Sequence, residues 1–258
     1  MEGHKVMGMQ RYFLDDTQIS ADDVIMTGDE AKHIARVMRM NEGDEVVCCN
    51  RSGACFRVQL TVVSPEQVQG TVVEQEHRSS EMPVHVTVAC GLPKADKLEL
   101  VIQKGTELGA SAFLPFEAER SIVKLDQKKA RKKQERWEKI AQEAAEQSQR
   151  SLVPLIGNVA SFSELISAFD SFEQVIVAYE EEARNDEKSR LAETLNQASC
   201  GDRVLIIAGP EGGFSDREIE LLTGAGAVSC ALGPRILRAE TAPLYALSAI
   251  SYHFELSR

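Results

Sequence analysis

The sequence predicts an α/β protein made of a small β-rich unit followed by a larger domain built around a mainly parallel sheet. Short strand-like runs separated by turn residues fill positions 9–75, whereas strand and helix periods alternate over 84–258. Between them, Glu76-His77-Arg78-Ser79-Ser80-Glu81-Met82-Pro83 is polar and ends in proline, the composition of a linker over 76–83.

In the first unit Glu45 to Cys49, Cys55 to Leu60 and Gln69 to Val73 are β-branched and apolar enough to pair as strands. Asn50-Arg51-Ser52-Gly53 and Ser64-Pro65 punctuate them, and one short helix is expected over Asp29 to Met38. Together these make a small β-barrel. In the second domain the expected strands are Val84 to Cys90, Ala112 to Phe116, Gln174 to Tyr179, Arg203 to Ala208 and Ala227 to Leu232. Leu98, Val101, Ile102 and Leu108 repeat with helical spacing, as do Trp137, Ile140, Ala141, Ala144 and Ala145.

Composition narrows the function. No apolar run approaches the ~18 residues of a membrane span, and Met1-Glu2-Gly3-His4-Lys5 does not start a signal peptide. No C-x-x-C pair occurs among the six cysteines and no ligand spacing among the five histidines, so neither a structural metal nor a disulfide scaffold is expected. Reduced cysteines and a cytoplasmic location follow. The net charge of −11 argues at first against a polyanionic partner. Counted by region it does not, because residues 124–139 carry eight basic and three acidic side chains, a local +5 that leaves −16 for the rest. Such a stretch is either a solvated helix face or a phosphate contact.

Chemistry concentrates in two strand–loop–helix units. Apolar Val204 to Ala208 runs into Gly209-Pro210-Glu211-Gly212-Gly213, after which Ser215 and Glu218 have the form of a capping box for a helix from Asp216 to Leu222. The loop lacks the Lys-Ser/Thr of a phosphate-binding loop and the spacing of a dinucleotide fingerprint. Glu211 would repel phosphate, so a cationic or zwitterionic ligand suits it better. The second unit runs from Ala227-Val228 through Gly233-Pro234-Arg235-Ile236-Leu237-Arg238-Ala239-Glu240 into a helix with Leu244, Leu247, Ile250 and Phe254 on its apolar face. Thr241 or Ala242 is the expected N-cap, with Pro243 in the first turn. Both loops should open at the carboxyl ends of parallel strands, where α/β folds bind ligands.

These two loops resemble those of the SPOUT methyltransferases, and in particular the RsmE family. The likeness extends to Arg11-Tyr12-Phe13, His33 to Arg39, Gln103 to Gly109 and Glu143 to Ser148, and so covers about Gln10 to Phe254. The resemblance implies a PUA-like β-barrel over 9–75, then over 84–258 a SPOUT domain with a C-terminal trefoil knot, arranged as a homodimer. It also implies methylation of N3 of one uridine in 16S ribosomal RNA, free or within the assembled small subunit, with S-adenosyl-L-methionine as cofactor. Family members tend to begin near Met9, so residues 1–8 are expected to be a dispensable leader.

Mapped onto this sequence, the resemblance makes Ile207, Gly209, Pro210, Glu211, Gly212, Gly213, Leu232, Gly233, Ile236, Leu237, Thr241 and Ala242 the cofactor-binding residues. Arg238 and Glu240 become the catalytic candidates. Arg238 is suited to stabilise charge on the uracil as N3 loses its proton, unless it simply pairs with Glu240. For the proton itself Glu240 and water both qualify, and spacing does not choose between them. Arg11, Arg36, Arg39, Lys124 and Arg235 are the expected RNA contacts, and Glu143, Gln147 and Arg150 share one helix face by their spacing. Two alternatives stay open: a related methyltransferase acting on tRNA or another ribosomal site, and an RNA-binding assembly factor without catalysis.

Overall fold

The computed structural model describes residues 9–77, 79–121, 127–184 and 189–257. The expected leader and Lys124 lie outside them. The chain divides into two compact units, Met1–Glu81 with Ala145–Val153, and Met82–Ala144 with Pro154–Arg258. Residues 145–153, assigned to the second domain by sequence pattern, thus belong to the first unit.

In the first unit β1 (Arg11–Phe13), β2 (Asp23–Thr27), β3 (Glu45–Cys49), β4 (Cys55–Val63) and β5 (Gln67–Gln75) form a sheet in the order β1-β3-β4-β5-β2. Only the β1–β3 pairing is parallel. Strand β2 alternates outward and inward along its length, sending Val24 and Met26 into a core with Ile34, Val46, Val58 and Leu60. Helix α1 (Gly28–Lys32) continues through a wider π-helical turn, His33–Met38, and stops at Arg39, whose φ of 52° is left-handed. Tyr12 lies against His33, its hydroxyl 3.1 Å from Nδ1.

Four expectations are corrected within this unit. Cys49 and Cys55, opposite each other on β3 and β4, are joined by a disulfide rather than reduced. Arg11 is not a surface RNA contact but an interior strut, only 7% exposed. Its guanidinium donates to both disulfide sulfurs and to the Arg150 carbonyl, and pairs with Glu76 at 2.8 Å. Arg150 does not continue a helical face, because helix α3 (Gln127–Gln147) ends before it and Gln149 turns the chain with φ 59°. Its side chain is buried against Glu81, and Glu81 also accepts from the Ser151 amide at 2.8 Å. Glu76 and Glu81, read as linker, are therefore ion-paired anchors of the first unit.

The second unit holds a seven-stranded sheet. Its strands are β6 (His85–Gly91), β7 (Ala112–Glu117), β8 (Leu155–Ile156), β9 (Ala160–Ser161), β10 (Gln174–Ala178), β11 (Arg203–Ala208) and β12 (Val228–Cys230). The order is β12-β10-β11-β6-β7-β8, with β9 also on β7, and every pairing is parallel. Strands covered on both faces need continuous apolar runs, which is why Val204 to Ala208 are all buried. The helices are α2 (Lys97–Glu107), α3, α4 (Phe162–Ser167), α5 (Glu180–Arg184), α6 (Arg190–Gln197), α7 (Asp216–Gly224) and α8 (Thr241–Ser251). Among them, α8 buries Pro243, Ala246, Leu247 and Ile250.

Candidate active site

The order β12-β10-β11 makes the site. Because β10 lies between β11 and β12, the loops leaving β11 and β12 meet over the carboxyl end of β10. They enclose a cleft of about 390 Å³. One wall is Gly209 to Gly213, another is Ala178 to Glu180, and Ile236 to Ala239 with Ala242 supply the third.

The first wall is set by close packing. A Cβ placed on Gly91, at the end of β6, would stand 2.6 Å from Pro210 Cδ and 2.8 Å from its nitrogen. Only glycine lets the loop descend that far. Gly213 takes φ +66° and donates its N–H to the Pro210 carbonyl at 2.9 Å, closing the turn. Phe214 then stacks on Phe116, their rings 6.3 Å apart and nearly parallel. The expected capping box is present: Ser215 Oγ accepts from the Glu218 amide, and Glu218 Oε2 accepts from the Ser215 amide at 2.8 Å. The other oxygen of the buried Glu218 accepts from the Glu119 amide at 2.8 Å, tying α7 to the end of β7.

Lys97, at the start of α2, joins the two loops. Its Nζ lies 3.1 Å from Glu211 Oε1 and 3.2 Å from Glu240 Oε2. Glu211 also accepts from the Lys94 amide at 3.0 Å. The hydrogen bonds that Lys97 donates to Glu211 and Glu240 raise its pKa above the usual value. Burial pushes both carboxyls up, yet backbone hydrogen bonds and the Lys97 ammonium outweigh it and hold each below the usual range. For Glu240 the charge of Arg238 adds to the same direction.

Most of the expected residues converge here. Gly209, Pro210, Glu211, Gly212, Gly213, Ile236, Leu237, Arg238 and Ala242 line the cleft, and Leu232, Gly233 and Arg235 line a small recess beside it. Ile207 does not, because its side chain is buried in the core under the sheet. Thr241 is the first helical residue of α8, exposed and outside the cleft lining, and the N-cap is Glu240 rather than Thr241 or Ala242. Glu240 pairs with Lys97 instead of Arg238, the alternative left open for that loop, and Arg238 stays exposed. Ile236 is 73% exposed, which removes core packing as the reason for an apolar residue there.

Sequence reasoning missed Lys97, Tyr179, Glu180 and Arg120. Arg120 donates to the Gly212 carbonyl at 2.9 Å, and Tyr179 and Glu180 follow β10 directly. For Tyr179 and Glu180 the signal was positional, since whatever follows the strand between the two glycine loops must line the cleft, whereas Lys97 and Arg120 carried none. Arg36 and Arg39 are exposed in the first unit. Among the described residues no group of three or more His, Cys, Asp and Glu is placed to hold a metal.

Comparison with known proteins fits this geometry. The sequence model described as RNA methyltransferase domain matches residues 80–251, and that described as RNA methyltransferase PUA domain matches 26–73. The ribosomal RNA small subunit methyltransferase E of Bacillus subtilis strain 168 is 51% identical, over 97% of this chain and 99% of its own. The chain belongs to that family. Two solved structures lie close to it. The ribosomal RNA small subunit methyltransferase E of Neisseria gonorrhoeae, bound to S-adenosyl methionine, superposes with a TM-score of 0.83 at 26% identity. A Legionella pneumophila methyltransferase in complex with the same cofactor gives 0.82 at 28%. Each comparison covers 94% of this chain and 97% of the other.

Proposed function

We propose that this protein methylates N3 of one uridine in the 16S ribosomal RNA of the small subunit, using S-adenosyl-L-methionine in the cleft at the carboxyl ends of β10, β11 and β12. The observation that carries the reading is that both glycine-proline loops meet over one strand, in a chain whose relatives are ribosomal RNA methyltransferases. The residues fit the cofactor. Glycine turns bring backbone N–H groups to the cleft, Ile236 and Leu237 offer apolar surface to a purine, and Glu211 and Glu180 provide negative charge compatible with a cation. S-adenosyl-L-methionine supplies an activated methyl group on a sulfonium.

The protein's part is alignment and charge. Holding the acceptor base in line is worth about 7–11 kcal/mol in favourable cases. The exposed Arg238 at the cleft rim supports electrostatic stabilisation of the uracil oxygens as N3 gives up its proton. Glu240, held below the ordinary carboxylate range beside Lys97, is a weak proton acceptor and fits a positioning role better than that of a base. Water at the open cleft mouth is the favoured acceptor. Arg36, Arg39 and Arg235 are the RNA contacts of this reading, the active form is a homodimer, and the enzyme works in the cytoplasm.

The test is nucleoside mass spectrometry of 16S ribosomal RNA from cells lacking the gene and from cells in which it has been restored. Loss and return of 3-methyluridine is the expected result. A level that does not change on deletion rejects the substrate, and no calorimetric binding at millimolar S-adenosyl-L-methionine rejects the enzyme.

A further inference from the structure

Helix α3 divides its side chains by charge. Trp137, Ala141 and Ala144 are buried on one side. Lys128, Lys132, Arg136 and Lys139 recur at spacings of four, four and three on the opposite side, all exposed. They extend about 16 Å along the axis. Some of this charge is neutralised: Arg136 pairs with Glu99 at 2.6 Å, Arg131 with Glu135 at 3.5 Å, and Lys139 reaches Glu143 at 3.9 Å. No described acidic group pairs with Lys128 or Lys132.

On a protein of net charge −11, a basic stripe of this length is placed against the general sign of the surface. Solubility does not require it, since the acidic remainder already provides net charge. It also stands near the cleft, because Arg136 on the stripe pairs with Glu99, two residues along α2 from the cleft residue Lys97. We propose that this face of α3 is a docking surface for the phosphate backbone of the RNA substrate, holding RNA beside the cleft without reading its sequence. The proposal rests on the RNA methyltransferase reading. Phosphate contacts position a nucleic acid and carry no sequence information themselves, which matches lysines on a straight helix better than a base-reading pocket would. An acidic protein partner would also be attracted, and the experiment separates the two.

The test compares the full-length protein with the Lys128→Ala/Lys132→Ala/Lys139→Ala variant, using a 16S ribosomal RNA transcript and purified small subunits as probes. Binding is measured across a salt series, together with calorimetric affinity for S-adenosyl-L-methionine. The expected variant keeps cofactor affinity and melting temperature, binds RNA at least ten-fold more weakly at low salt, and loses about 2–3 from the salt slope, at roughly 0.7–0.9 per phosphate contact. The matching Lys→Arg variant should keep the parent slope. Unchanged RNA affinity and slope overturn the proposal, as does weakening without a change of slope. If the parent protein itself neither binds nor methylates either probe, the enzyme reading fails before the variants are compared.

Discussion

Lys97 holds two carboxylates that come from different loops, Glu211 after β11 and Glu240 before α8. Replacing it with methionine leaves those carboxylates facing each other without their shared cation. We expect Lys97→Met to weaken S-adenosyl-L-methionine binding roughly five-fold at neutral pH, the upper end for a partly exposed ion pair, and Lys97→Arg to restore most of it. The pH dependence has a definite sign. Glu211 and Glu240 lie below their ordinary values when folded, so their contribution is complete above the usual carboxylate range and disappears as pH falls through the folded values. Lys97 is raised, so its contribution is complete below the ordinary lysine value and is lost as pH rises through the folded one. Cofactor affinity should therefore be flat through neutrality and fall in acid, and in Lys97→Met the acid fall should begin at higher pH. An acid limb at the same pH in both proteins would make Lys97 a packing residue. Arg238 differs because it is exposed at the cleft rim, while the ion pair of Glu240 goes to Lys97. Arg238→Ala should lower turnover on the order of 10²-fold, as for other lost transition-state donors, with cofactor affinity nearly unchanged. Equal loss of both would move Arg238 into the cofactor site.

At the level of elements, the close seat of Pro210 on Gly91 sets where the first loop can lie. Gly91→Ala should force the loop outward, lowering stability by about 1–3 kcal/mol and abolishing cofactor binding. Urea midpoints and calorimetry measure the two effects, and a variant that binds normally would show that the loop tolerates the shift. Several elements were legible because one local rule decides each. Strand β11 has the predicted bounds, since Val204 to Ala208 is apolar enough to be covered on both faces, and the Ser215–Glu218 box is a local bonding pattern. Strand β12 came out shorter than Ala227 to Leu232, because pairing with β10 ends at Cys230 and the chain leaves for the cleft. What the sequence does not display is adjacency between distant segments. Nothing near Arg11 or Arg150 announces that their charges are buried against Glu76 and Glu81, or that Cys49 and Cys55 face each other across two strands. Lys97 was invisible for the same reason: its partners are more than a hundred residues away.

Across the whole molecule, the cleft is assembled from positions 178–180, 208–214 and 236–239 with 242, and Lys97 is added from a fourth segment. A ligand seated there touches all of them, so it should stabilise the second unit as one body. With S-adenosyl-L-methionine at a hundred times its dissociation constant the gain is about 2.7 kcal/mol, seen as a rise in melting temperature that grows with the logarithm of concentration. A melting temperature independent of cofactor would mean that the cleft binds something else. The strand order carries one consequence for how the protein comes into being. Since β12 completes the sheet beside β10 and the loop after it supplies the third wall, a nascent polypeptide that has made β6, β7, β10 and β11 still lacks part of this cleft. The ribosome must finish residues 236–242 before its own modifying enzyme can take up a methyl donor, so unfinished chains cannot sequester the cofactor or act on RNA beside the site of their synthesis.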